Sequence, residues 1–183
     1  MKHDTLASFL KYAQSGRLNL QSTVYKGTLF EYVSQIALMA NFGSQGLANL
    51  TRMGGASDRG VDLLGDWRGV RVIVQCKCWR QKVGSQIWRE IAGIHAIHSA
   101  GSPTLMILAT PKPMTASALS TFNSLPTPFM HCQIAAWAPG VSVGGSGIEQ
   151  MVDAGAVLGV ATNAAADRLN LSQEPSVYQP YGL

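Results

Sequence analysis

An acid, an amide and an ammonium group in the first half of the chain could act together. Gln75 and Lys77 are two residues apart in an otherwise apolar run, so on a β-strand their side chains would share one face. Asp62 lies 13 residues before Gln75, and a hairpin would bring the two strands side by side. Phosphodiester hydrolysis needs a cation that neutralises the phosphate and activates water. This trio suits such a reaction.

Each member of the trio has a predicted role. Mg²⁺ takes oxygen ligands, often one or two carboxylates completed by water and substrate phosphate. Asp62 would supply a carboxylate, Gln75 an amide oxygen and Cys76 its backbone carbonyl. Lys77 would hold the attacking water or stabilise charge that develops on the phosphate. Glu31, from a preceding helix, could add the second negative charge that Gln75 lacks.

Positive charge is concentrated in the same half of the chain. The 183 residues include 14 Lys and Arg against 10 Asp and Glu, a net charge of +4. Residues 1–90 hold 12 basic and 6 acidic side chains (+6), and residues 91–183 hold 2 and 4 (−2). Basic side chains beside a metal centre suit a phosphate backbone. We expect the backbone contacts from Arg59, Arg80, Lys82 and Arg89.

The surrounding pattern predicts an α/β domain that would position these residues. Helical periodicity and capping residues predict helices over residues 5–15, 27–41, 86–99, 111–122 and 146–159. Apolar, β-rich runs predict strands over residues 47–53, 60–64, 70–79, 104–109 and 129–135. The strands at 60–64 and 70–79 would form a hairpin around a five-residue turn, residues 65–69. A helix between apolar strands implies a parallel crossover, hence a mixed sheet flanked by helices.

These residues resemble the Mrr-like branch of the restriction-endonuclease superfamily, PD-(D/E)XK, whose motif is Asp…(Glu/Gln)-x-Lys. The matching stretches are Gly27-Thr28-Leu29-Phe30-Glu31, Asp58-Arg59-Gly60-Val61-Asp62 and Val74-Gln75-Cys76-Lys77. The segment from Ser22 to Tyr32, with Asp62-Leu63-Leu64-Gly65-Asp66-Trp67, is also similar to a fungal family of mitochondrial Mrr-like proteins associated with respiratory growth. The likeness is strong over residues 20–95 and weaker to about residue 135.

The resemblance implies a restriction-endonuclease-like αβββαβ core and DNA strand cleavage with Mg²⁺ or Mn²⁺. Asp62, Gln75 and Lys77 take the three motif roles, and Glu31 that of the helix glutamate. It also implies a mitochondrial location, although residues 1–20 form no convincing presequence. We expect a helical extension over residues 1–20, a nuclease domain over 21–140 and a Gly/Ala-rich helix and tail over 141–183.

Two other functional hypotheses stay open. Gln75 stands where many members of the superfamily have Glu, so the chain could be a catalytically inactive DNA-binding or genome-maintenance module on the same fold. Alternatively, the apolar C-terminal half could form a homodimer and act as an interaction scaffold.

The composition argues against several classes of protein. A hydrophobic fraction of 46% argues against disorder, and no stretch approaches the roughly 20 apolar residues of a membrane span. The three cysteines, Cys76, Cys78 and Cys132, form no disulfide framework, and Cys76-x-Cys78 lacks a second pair for a zinc site. His95 and His98 lack a partner at metal-site spacing, so we expect them on a helix surface or edge.

Overall fold

A computed structural model describes residues 5–53, 60–134, 157–169 and 171. Within these ranges the α-helices are α1 (Leu6–Tyr12), α2 (Thr23–Phe42), α3 (Gln86–His98), α4 (Ala116–Ser124) and the short α5 (Ala164–Asp167). The strands are β1 (Leu47–Arg52), β2 (Leu63–Trp67), β3 (Val70–Cys76), β4 (Thr104–Thr110), β5 (Phe129–Ile134) and β6 (Val157–Thr162). From α2 to β4 the order is helix, three strands, helix and strand, as the sequence predicted.

The six described strands form one mixed sheet in the order β1-β2-β3-β4-β5-β6. The strands β1, β2 and β3 pair antiparallel, β3, β4 and β5 run parallel, and β6 returns antiparallel to β5. The carboxyl ends of β3, β4 and β5 therefore meet at one edge of the sheet. The α/β class with a mixed, helix-flanked sheet is confirmed.

Alternation along β3 assigns its side chains to two separate cores. Val72 and Val74 face the first core, which includes α1 and α2, whereas Ile73 faces the second, which includes α3 and α4. By the same period of two, Cys76 belongs to the α2 side, and Gln75 belongs to the α3 side. Neighbouring residues of the motif thus lie on opposite faces of the sheet.

Helix α2 begins at Thr23, four residues before the predicted start at Gly27. The Ser22 hydroxyl accepts a hydrogen bond from the Tyr25 backbone amide at 3.1 Å, which caps the first turn. Tyr25 then stacks on Phe9 of α1 at a ring-centroid distance of 5.6 Å. The first turn is therefore stabilised by its cap and by contact with α1, neither of which depends on the helical period of α2 itself.

Three predictions about local structure were wrong. Residues 65–67 belong to β2, so the hairpin turn is Arg68-Gly69 rather than five residues. Residues 157–159, predicted as helix, form part of β6, while residues 146–156 lie outside the described ranges. His95, expected near a surface, is buried, with Nε2 3.2 Å from the Thr104 carbonyl oxygen.

Candidate active site

Asp62 lies where β2 separates from β3. Its backbone amide donates to the Val74 carbonyl at 3.0 Å, and its carbonyl accepts from the Met53 amide at 2.9 Å. Two residues after Val74, the partner of β3 is the Asp62 side chain instead of a backbone group, because Asp62 Oδ2 accepts a hydrogen bond from the Cys76 amide at 2.6 Å. The carboxylate is thereby fixed against the residue between Gln75 and Lys77.

Gln75 is a buried polar side chain with an unpartnered acceptor. It is 4% exposed, and its Oε1 has no hydrogen-bond partner within the described part of the chain. Its Nε2 lies next to Gly60, because a Cβ on Gly60 would be 3.4 Å from that atom. A buried amide oxygen without a donor is costly, so this atom is suited to a ligand that carries positive charge or donates a hydrogen bond.

Lys77 continues β3 by one residue, and its side chain reaches α3. Its backbone amide donates to the Ala109 carbonyl at 2.9 Å, which extends the pairing with β4. Its Nζ lies 3.2 Å from Glu90 Oε1 and 6.0 Å from the centre of the Trp79 ring. The lysine side chain is 24% exposed and that of Glu90 52%, so solvent reaches this pair and a phosphate could compete for the ammonium group.

Glu31 projects from α2 toward the end of β1. Its Oε2 accepts from Arg52 at 2.7 Å, and the Arg52 guanidinium lies 4.6 Å from the centre of the Tyr32 ring. Burial alone would lower the pKa of Arg52, but the hydrogen bond and charge of Glu31, with the Tyr32 phenol, raise it above its usual value. Glu31 therefore lies beside a permanent positive charge.

The negative charges of Asp62 and Glu31 both affect the thiol of Cys76. Burial, then the charge of Asp62 and more weakly that of Glu31, raises the pKa of its thiol well above the usual value. The Cys76 thiol is consequently neutral at physiological pH.

The predicted trio comes together at the backbone, but its side chains have different partners. Asp62 binds the Cys76 amide, Gln75 is buried beside Gly60 on the α3 face, and Lys77 pairs with Glu90. Among the described residues, no group of three or more His, Cys, Asp and Glu side chains could hold a metal ion. Any ion here would therefore depend on amide and backbone oxygens as well as on carboxylates.

Three of the four basic residues predicted to contact DNA are described, and they lie at the same edge of the sheet as Lys77. Arg80 and Lys82 are exposed in the connection that follows β3, and Arg89 is exposed on α3. Arg59 lies outside the described residues. Lys26, which the sequence did not single out, lies near enough to Cys78 to oppose the effect of burial, which raises the pKa of that thiol to about 11.

Sequence reasoning also missed two ion-pair partners, Arg52 and Glu90. Arg52 is one of the 12 basic side chains of residues 1–90, and the structure shows it paired and largely buried. Glu90 lies four residues from Gln86, the first residue of α3, and its position relative to Lys77 follows only from how α3 packs on the sheet. No spacing rule within either element would have identified these pairs.

One known protein family matches the part of the chain that contains the candidate site. The family described as "Required for respiratory growth protein 7" matches residues 22–70 and 68–169, which together exceed half of the chain. The chain belongs to this family. No solved structure matches the chain significantly.

Named relatives of this respiratory-growth family are mitochondrial. A Schizosaccharomyces pombe mitochondrial protein described as uncharacterized is 33% identical over 139 residues, covering 72% of this chain and 53% of that protein. The Candida glabrata protein named Required for respiratory growth protein 7 is 25% identical over 182 residues, covering 72% of this chain and 71% of the Candida protein. The chain thus spans about half the length of the fission-yeast relative. These relatives support a mitochondrial location and a family role in respiratory growth.

Within the described ranges, no helix has the length and apolar character needed to cross a bilayer.

Proposed function

We propose that this member of the respiratory-growth family is a metal-dependent deoxyribonuclease with a restriction-endonuclease-like fold, acting on mitochondrial DNA. The observation that carries the proposal is the unpartnered, buried Oε1 of Gln75, one residue from the Cys76 amide that binds Asp62. Mg²⁺ or Mn²⁺ would be held by Asp62, the Gln75 amide oxygen and the Cys76 carbonyl. This oxygen donor set suits a hard cation that keeps several water ligands.

A bound divalent cation supplies neutralisation of phosphate charge and a lowered pKa for bound water. The protein's own groups orient the DNA and the attacking water. Arg80, Lys82 and Arg89 hold the phosphate backbone, since their side chains are exposed near the end of β3. Lys77 exchanges Glu90 for the phosphate or the water and stabilises the negative charge that develops in the transition state.

Cleavage of plasmid and linear DNA by the full chain, with Mg²⁺ or Mn²⁺, tests this proposal. We expect Asp62→Asn and Lys77→Ala each to reduce the rate at least about 100-fold, the scale of losing one preorganised group. The matched controls are Asp167→Asn on α5 and Lys11→Ala on α1, both exposed and outside the set of candidate site residues. Wild-type cleavage no faster than that of the two site variants would contradict the proposal.

A second candidate function is DNA binding without cleavage, on the same fold. It is favoured by Gln75 in place of Glu, and by the ion pairs that engage both Glu31 and Lys77. A module of this kind would bind DNA equally well with Asp62→Asn and would show no metal-dependent turnover. Binding and cleavage assays on the same variant therefore separate the two functions.

A further inference from the structure

We propose that the DNA-binding surface continues from β3 onto the connection that follows β4, and that Lys112 is a further contact for the phosphate backbone. This surface deepens the proposed function and rests on it, because the ligand is the same DNA. Lys112 and Arg168 are the only two basic residues among residues 91–183, the half of the sequence with a net charge of −2. The fold nevertheless places Lys112 beside the basic residues of the first half.

The sheet topology brings Lys112 to the edge that holds the candidate site. Strands β3 and β4 are parallel neighbours, and their pairing reaches Lys77, whose backbone amide donates to the Ala109 carbonyl at 2.9 Å. Strand β4 ends at Thr110, so Lys112 follows two residues beyond that end. Asp62 adjoins β3 from the side of β2. In the order of the strands, Lys77 therefore lies between Asp62 and Lys112.

Backbone hydrogen bonds join the connection that carries Lys82 to the connection that carries Lys112. The Val83 amide donates to the Pro113 carbonyl at 3.1 Å, and the Val83 carbonyl accepts from the Thr115 amide at 2.9 Å, which forms a parallel bridge. Both lysines are exposed, and each directly precedes a residue that makes the first of these bonds. Like charges on adjacent segments repel each other, so this placement favours a polyanionic partner such as DNA.

A buried hydrogen-bond chain anchors the backbone of Lys112 to β5. Thr110 Oγ1 donates to the Lys112 carbonyl at 2.7 Å, and the same oxygen lies 2.8 Å from Nε2 of the buried His131. A hydroxyl has one hydrogen, so His131 must donate its Nε2–H to Thr110. Burial lowers the pKa of His131 to about 4, so the imidazole is neutral at physiological pH and the chain persists. Because Pro111 and Pro113 also restrict the backbone on either side, DNA binding has little of this loop left to order.

Fluorescence anisotropy of the full chain with labelled duplex DNA, in EDTA and at several salt concentrations, tests the role of Lys112. We expect Lys112→Ala to reduce the slope of log K against log salt by about 0.9, the value for one phosphate contact. The matched control is Arg168→Ala, because this exposed arginine follows α5 near the start of β5, at the opposite edge of the sheet, and its loss should leave the slope unchanged. Equal slopes for the two variants would overturn the proposal.

A double variant, Lys82→Ala/Lys112→Ala, tests whether the two joined connections bind the same DNA. We expect it to reduce the slope by about 1.8, the sum for two phosphate contacts, and a reduction no larger than that of Lys82→Ala alone would refute the contact from Lys112.

Cleavage assays with Mg²⁺ or Mn²⁺ on the same proteins distinguish this surface from the proposed nuclease. DNA binding that depends on Lys112, without metal-dependent cleavage, would support the surface and refute the nuclease. Cleavage by the wild type together with an unchanged slope for Lys112→Ala would do the reverse. A wild-type protein that binds no DNA would refute both.

Discussion

Gly60 has a backbone conformation and a position that other residues would not tolerate. Its φ is +82°, in the left-handed region, and a Cβ there would come within 2.6 Å of Ile94 Cδ1 and 3.4 Å of Gln75 Nε2. The absent side chain lets Gly60, two residues before Asp62, lie close to the Gln75 amide. The missing Cβ of Gly60 therefore allows the backbone just before Asp62 to pack beside the amide of the candidate site.

Substitution of Gly60 by alanine should destabilise the protein through both backbone strain and side-chain crowding. It should therefore cost more than substitution of a glycine that has the same φ but open space around it. Gly69 has the same φ of +82°, but a Cβ on Gly69 would have no neighbouring atom within 4 Å, so this glycine is the matched control. We expect Gly69→Ala to cost about 1 kcal/mol, and Gly60→Ala about 1–3 kcal/mol more because of the added crowding. Urea denaturation measures both, and equal losses would show that Ile94 and Gln75 adjust freely.

At the scale of elements, Asn163 joins the end of β6 to the segment between α4 and β5. Its Nδ2 lies within hydrogen-bond distance of the carbonyls of Phe122, Leu125 and Thr127, the shortest contact being 2.9 Å. Its Oδ1 accepts from the amides of Phe129 and Ala166 at 3.1 and 3.0 Å. A single buried side chain thereby satisfies backbone groups of several segments and fixes the end of β6, a strand that pairs with β5.

Replacement of Asn163 by alanine should lower the free energy of unfolding by about 2–4 kcal/mol, because buried amides and carbonyls lose their partner. Asn123→Ala on the exposed side of α4 is the matched control and should change stability by less than about 0.5 kcal/mol. Thermal or urea unfolding provides the measurement. Similar values for the two variants would mean that water replaces the Asn163 side chain.

At the scale of the whole molecule, the excess of basic residues in the first half of the sequence produces a positively charged patch on the surface. Arg80, Lys82 and Arg89 are exposed near the carboxyl end of β3, whereas Arg71 lies near its start and donates to the His98 carbonyl at 3.1 Å. Arg52 does not contribute to this positive surface, because its charge is paired with Glu31. The net charge of +4 therefore understates the positive charge beside the candidate site.

Binding to duplex DNA should fall steeply as salt concentration rises, and that slope should depend on these three residues. We expect each alanine substitution at Arg80, Lys82 or Arg89 to reduce the slope of log K against log salt by about 0.9, the value for one lost phosphate contact. Arg71→Ala should leave the slope unchanged. Fluorescence anisotropy at several salt concentrations measures it, and a flat dependence for the wild type would exclude this surface as the DNA contact.

Much of the fold was predictable because its signals are local. Strand β4 is buried along its whole length and reads as a continuous apolar run, and α3 has an apolar face at helical spacing. The strand β6 was missed because its Gly, Ala and Val residues also fit a helix, and pairing with β5 decided the outcome. The two-residue hairpin turn was missed for a similar reason, since pairing with β3 draws Gly65 and Asp66 into β2.

The sequence by itself determined the α/β class, the order of elements from α2 to β4, and the candidate acid, amide and ammonium groups. These follow from residue type and from spacing within single elements. Only the tertiary structure decided the partners of those groups: Cys76 for Asp62, Glu90 for Lys77 and Arg52 for Glu31. The physical reason is that each contact joins residues at least 13 positions apart, on elements whose relative placement depends on how the helices and strands pack.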